Sequence, residues 1–246
     1  MTIRVSCVGD SITRAQHSVD YLSLLGAGHR SGEVSARRFG VNGDFAYNLL
    51  QRLDEVVRAP ADVITVLVGT NDARASLPGY PVEQVMRRKR LPTEPSAAWF
   101  QDCLGRIVER LSSTTDASIG LLSLPVLGHD LTAAPAQASR EYSRMIAEIA
   151  AHRGVAYLPL HERQIEEIHR QNPVQIPYEE LTVTGHLGTT FQRKILRRSL
   201  ETLSQRRGLL LTTDHIHQNG RGAALIAEVI DVSLLQSPAT DDDRHR

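Results

Sequence analysis

The chain has 246 residues, 41% of them hydrophobic, a size and composition that suit one generous α/β domain with a sizeable core. Lys plus Arg and Asp plus Glu number 28 each, so no global field draws the protein to nucleic acid or to an anionic surface. No run of about 18 apolar residues occurs, and the N-terminus lacks the apolar core of a signal peptide, which together predict a soluble cytoplasmic protein without stable membrane insertion.

The first expected strand is 3–8, an apolar run that opens the chain and contains Cys7. Strands are also expected at 34–39, 63–68, 118–124 and 155–158. The third of these, Val63-Ile64-Thr65-Val66-Leu67-Val68, is nearly all apolar and β-branched. A strand covered by helices on both faces needs that composition, which points to a parallel sheet. Between the runs lie helices. Leu49, Leu50, Leu53 and Val57 recur at helical spacing over 44–57, with Pro60 as the stop. A second helix is expected at 95–111, carrying Trp99, Phe100, Leu104, Ile107 and Val108, and a third at 136–152, ended by Gly154. Strand alternating with helix implies right-handed crossovers and a doubly wound, three-layer α/β/α fold. Cys7 and Cys103 both fall in apolar or helical patterns and read as buried thiols without a disulfide.

Two segments break the alternation. Residues 76–94 hold Pro78, Gly79, Pro81 and Pro92 together with the basic run Arg87-Arg88-Lys89-Arg90, which lacks the interleaved aromatics of a nucleic-acid surface. Residues 172–208 form a long insertion. Within it an apolar stripe at 191–203 runs beside Arg193, Lys194, Arg197 and Arg198, fitting a lid, a pocket wall, a solvated surface helix or a contact between copies of the chain. The domain is expected to span 1–236, with 237–246 as a flexible tail.

Four short blocks carry chemistry. Gly9-Asp10-Ser11-Ile12-Thr13 follows the first strand. A serine hydroxyl needs a base and a sharp turn to act as a nucleophile, and Gly9 allows that turn. The same residues also fit a plain helix cap supplied by Asp10 or Ser11. Gly40-Val41-Asn42-Gly43-Asp44 follows the second strand, where a glycine lets backbone approach a bound acyl group; it fits equally a loop before a helix capped by Asp44. Gly69-Thr70-Asn71-Asp72 follows the third strand and offers an amide donor to a developing oxyanion, or ordinary turn chemistry. The last block is Asp214-His215-Ile216-His217, before a helix running to 235. Asp and His three residues apart can pair within one turn, the carboxylate orienting the ring. A metal site would need further ligands at proper spacing, and His215 is expected to face away from His217 if the segment is extended.

These four blocks, in this order and at these strand ends, resemble those of the SGNH hydrolases, also called GDSL esterases and lipases, over most of the chain from Ile3 to about Leu235. Ile12 stands where the family usually has Leu. The resemblance implies a flavodoxin-like, five-stranded parallel sheet in the order 2-1-3-4-5 and a serine esterase needing no cofactor or metal. It implies Ser11 as nucleophile, His217 as base and Asp214 as its partner. It further implies an oxyanion hole made of the Ser11 N–H, the Gly43 N–H and the Asn71 side chain. The expected partner is a small-molecule ester of a lipid, a sugar or a short acyl group, with self-association left open. An acyltransferase would use the same residues with an alcohol in place of water. A binding domain without chemistry is the third reading, although all three triad residues are retained.

Overall fold

The computed structural model describes residues 2–27, 33–174, 176–178 and 200–235. Strands β1 (Ile3–Gly9), β2 (Val34–Gly40), β3 (Val63–Leu67), β4 (Ser118–Leu122) and β5 (Ala156–Leu158) form one sheet. Its order is β2-β1-β3-β4-β5 and every neighbouring pair is parallel. The sheet is therefore the expected one, with strand ends moved by two residues or fewer. All five residues of β3 are buried, as its apolar composition demands.

Alternate residues of the strands feed two cores. Val8, Ile64, Val66, Ile119 and Leu121 point to one face, where they meet Leu49, Leu53 and Val56 and the apolar sides of the helices Ala97–Thr114 and Ala134–Arg153. Val5, Cys7, Val63, Leu67, Leu122 and Leu158 point to the other, covered by Tyr21, Leu160 and the helix Gly220–Ile230. This period of two is what makes the fold three layers deep. Each fully buried Leu or Ile contributes about 1.5–3 kcal/mol, so these two layers dominate stability. Cys7 and Cys103 sit in opposite cores, without a disulfide, and burial pushes both thiols up to about 11.

The helix expected over 44–57 is instead two short ones, Ala46–Gln51 and Leu53–Val57, broken at Arg52. Asp44 does not cap it. The N-cap is Phe45, whose N–H donates to Asn48 Oδ1 at 3.2 Å, while Asp44 is bound by two cations described below. The 76–94 segment contains a helix of its own, Val82–Lys89, whose Val85 packs with Leu91 against Phe45. Of the 172–208 insertion, 172–174, 176–178 and 200–208 are described, including a helix over Leu200–Arg206; the amphipathic stripe at 191–199 and the 237–246 tail lie outside the described residues. Among the described residues no helix is long and apolar enough to cross a membrane.

Candidate active site

The site begins where β1 ends. A Cβ at Gly9 would lie 2.3 Å from the Leu67 carbonyl oxygen and 2.5 Å from Thr13 Oγ1, so only a glycine lets the chain turn directly into the helix Ser11–Arg14. Asp10 caps that helix by accepting the Ile12 N–H at 3.0 Å. With the cap supplied by Asp10, Ser11 Oγ is left to other partners. Burial pushes the Asp10 carboxyl up to about 6, against the opposing effects of the Ile12 N–H and of His217.

The partner arrives from the other end of the chain. The 212–218 loop is a tight turn rather than an extended segment. Thr212 and Gln218 pair in antiparallel fashion, Thr213 N–H donates to the His217 carbonyl at 2.7 Å, and His215 adopts φ 69°. That turn sends His215 against the Tyr178 ring, with centroids 5.6 Å apart. Asp214 Oδ1 accepts the backbone N–H groups of Ile216 and His217 at 3.2 and 2.8 Å, and Oδ2 faces His217 Nδ1 at 2.8 Å. Burial alone would raise the Asp214 carboxyl. The charge on His217, its ring hydrogen bond and the two backbone donors outweigh burial and hold the group well below the usual carboxylate range.

His217 Nε2 then lies 2.9 Å from Ser11 Oγ, across 206 positions of sequence. What joins these ends is a set of hydrogen bonds to Gln218. Val19 N–H donates to its carbonyl at 2.7 Å, its own N–H donates to Ser18 Oγ at 3.0 Å, and Gln164 Nε2 donates to its side-chain oxygen at 2.8 Å. Each such bond contributes about 1 kcal/mol net, and leaving its buried partner unpaired would cost more. Asp214 is 1% exposed, His217 3% and Ser11 9%, so the relay is dry at its acid end and opens at the serine.

The segments that carry the other expected donors leave the sheet at the same end as Ser11, because β1 lies between β2 and β3 with their ends in register. Asn71 Nδ2 donates to the Asp44 carbonyl at 3.0 Å and lies 3.4 Å from Asp10 Oδ2, while Arg74 Nη1 donates to Asn71 Oδ1 at 3.2 Å. The buried Arg74 therefore fixes which end of the amide faces Asp44 and Asp10. Gly43 sits at φ 71°, left-handed backbone that favours glycine. A Cβ there would meet Lys89 Cε at 3.2 Å, so the Cβ side of Gly43 is occupied by a lysine side chain.

Sequence reading missed the residues that hold these loops. Arg52 Nη2 donates to the carbonyls of Gly9 and Phe39 at 2.9 and 3.1 Å, tying the ends of β1 and β2, and its Nε reaches Asp44 Oδ2 at 2.8 Å. Lys89 Nζ binds Asp44 Oδ1 at 2.8 Å and the Asn42 carbonyl at 2.7 Å. Asp72 accepts the Ala46 N–H at 3.2 Å, and burial pushes its carboxyl up to about 7. An arginine at a helix break and a lysine inside a basic run give no local sign of such roles. Among the described residues no three His, Cys, Asp or Glu side chains are gathered as metal ligands would be.

The GDSL-like Lipase/Acylhydrolase family model matches residues 7–194. That span holds Ser11, Gly43 and Asn71 and ends before Asp214 and His217. Comparison with curated proteins returns no match. Among solved structures the chain is similar to the acetyl xylan esterase AlAXEase, at 19% identity and a TM-score of 0.65 over 93% of this chain and 98% of that one. It is also similar to Axe2, an acetylxylan esterase from Geobacillus stearothermophilus, at 17% identity and a TM-score of 0.56 over 78% and 93% of the two chains. A lipase/acylhydrolase from Enterococcus faecalis matches at 18% identity and a TM-score of 0.59 over 93% of each chain. At these identities the likeness concerns the fold, an SGNH-type sheet and its helices. The family match covers most of the sequence, and the chain belongs to the GDSL-like Lipase/Acylhydrolase family of ester-hydrolysing enzymes.

Proposed function

We propose that the chain hydrolyses carboxylic esters through an acyl-enzyme on Ser11. The observation that carries this reading is the unbroken relay from Asp214 through His217 to Ser11, with links of 2.8 and 2.9 Å. Ser11 Oγ attacks the ester carbonyl carbon as His217 Nε2 takes its proton, and Asp214 stabilises the imidazolium. The carbonyl oxygen, now an oxyanion, is bound by the N–H groups of Ser11 and Gly43 and by the Asn71 amide. His217 returns its proton to the leaving alkoxide. Water, deprotonated by the same ring, then attacks the acyl carbon; the Ser11 Oγ–acyl bond breaks, His217 returns the proton to Ser11 Oγ, and the acid is released.

For substrate, the reading proposed is a short acyl group on a polar alcohol such as a sugar. Two features support it. Gln16 and Asn42 are exposed and hydrogen-bonded to each other, and half-buried His17 lies beside the His217 ring at 5.3 Å, so the flanks of the relay are polar. Two of the similar structures are named as acetyl xylan esterases. Since the relatives with a named activity hydrolyse their esters, water is taken as the acceptor in preference to a second alcohol.

The test is turnover of p-nitrophenyl esters graded from acetyl to long chain, by wild type and Ser11→Ala, with fluorophosphonate labelling of both. Wild type should turn over the acetyl ester best and take one label; Ser11→Ala should lose both turnover and label with an unchanged circular dichroism spectrum. Near-wild-type turnover in folded Ser11→Ala would end the assignment. A preference for long chains would discard the sugar-ester substrate while leaving the chemistry in place.

A further inference from the structure

We infer that Lys89 is a positioning residue for the oxyanion hole, acting through the Asn42–Gly43 peptide; the inference rests on the reading of the Gly43 N–H as a donor to the oxyanion. The Asn42 carbonyl and the Gly43 N–H are the two ends of one peptide unit. Lys89 Nζ donates to that carbonyl at 2.7 Å. The peptide is trans, so its N–H points opposite to the carbonyl. A cation fixed on the oxygen therefore fixes the direction of the N–H. It also draws electron density along the amide and strengthens the N–H as a donor, as in any polarised hydrogen-bond chain.

Lys89 is held there from three sides. Asp44 Oδ1 binds its ammonium at 2.8 Å, and Arg52 holds the other oxygen of the same carboxylate at 2.8 Å. Asn48 Nδ2 donates to the Lys89 backbone carbonyl at 2.9 Å, pinning the end of the helix Val82–Lys89 to the helix Ala46–Gln51. Leu91, two residues on, is buried with Phe45. The Lys89 side chain is 14% exposed, unusually low for a lysine, and its Cε occupies the space over Gly43. The left-handed backbone at Gly43 and this close approach both demand glycine. The sequence offers the basic run at 87–90 only as a poor nucleic-acid signal. Its third residue instead reaches the site's backbone.

The test compares Lys89→Met, which keeps the length of the chain and removes the charge, with Lys89→Arg, which restores a cation, and with Arg87→Met as an exposed control on the same helix. The backbone and apolar contacts of the 82–91 segment do not involve the ammonium, so Lys89→Met should fold. Its kcat for p-nitrophenyl acetate is expected to fall about ten- to a hundredfold, less than for loss of a direct donor, with KM within about twofold. Inhibition by an alkyl boronic acid, which forms an anionic tetrahedral adduct on the serine, should weaken by the same factor as kcat falls. Lys89→Arg should recover most of both, and Arg87→Met should match wild type. Folded Lys89→Met with wild-type kcat and wild-type boronate affinity, while Ser11→Ala is inactive, would overturn the inference and leave the esterase reading intact. Turnover by Ser11→Ala near wild type would remove both. Should Lys89→Met not fold, Lys89→Gln, which can still donate to the Asn42 carbonyl without charge, takes its place. A kcat within twofold of wild type in that variant would overturn the polarising role.

Discussion

Replacing Asp214 by Asn probes the proposed relay at its most buried point. The carboxylate is 1% exposed and accepts three hydrogen bonds, from the His217 ring and from the backbone of Ile216 and His217. An asparagine fits the same volume, and its Oδ1 can keep both backbone donors, so the turn should survive. Its amide nitrogen then faces His217 Nδ1 at the position of Asp214 Oδ2. Two donors cannot face each other, and the ring resolves the conflict by carrying its proton on Nε2. That proton points at Ser11 Oγ, 2.9 Å away, and the ring can no longer accept the serine proton. In comparable triads this substitution lowers kcat by about 10⁴, or about 5 kcal/mol of barrier at 1.36 kcal/mol per tenfold. The Asp214 carboxyl is depressed in the folded protein, so its contribution to stability is present above the unfolded value near 3.9 and is lost as pH falls through the folded one. Asp214→Asn should therefore lose about 1–3 kcal/mol at pH 7 and show a flatter acid limb than wild type. The measurements are kcat/KM on p-nitrophenyl acetate near neutral pH and urea unfolding at several pH values. A folded variant within tenfold of wild-type kcat/KM would refute the relay argument, because no base oriented by Asp214 would then be needed.

Two other perturbations test neighbouring parts of the site. Asn71→Ala removes a proposed oxyanion donor and leaves Arg74 without the oxygen it now donates to; kcat should drop about a hundred- to a thousandfold with KM little changed, and a loss confined to KM would argue against the assignment. Asp72 is buried with its carboxyl raised to about 7, so the folded state holds a proton there more tightly than the unfolded chain does. That group favours folding below the unfolded value near 3.9, and its contribution is lost as pH rises through about 7. Asp72→Asn keeps an acceptor for the Ala46 N–H and removes the titration, so the decline in unfolding free energy between pH 5 and 8, about a few kcal/mol in wild type, should shrink. Parallel slopes for the two proteins in urea titrations would contradict this account.

Much of the architecture is written in local pattern. The β-branched run at 63–68 can be satisfied only between two helical layers, and the alternation of runs and helices then fixes a parallel sheet. Asp214 and His217 are three residues apart, close enough for one turn to pair them, so that half of the relay is a short-range property of the chain. The remaining half is a long-range one. Nothing local requires Ser11 to meet His217; that meeting depends on Gln218 being held by Ser18 and Val19 from near one end of the chain and by Gln164 from a distant helix. The break of the 44–57 helix has the same origin. Helical spacing favours continuation through Arg52, but its guanidinium binds Gly9, Phe39 and Asp44, where two strands end. Lys89 is the extreme case, in sequence only one of four basic residues in a row with no assigned role, and in the fold placed against the backbone of Gly43. Propensity and periodicity act over a few residues, whereas the burial of a charge is decided by whichever remote carboxylates and carbonyls the sheet order brings beside it.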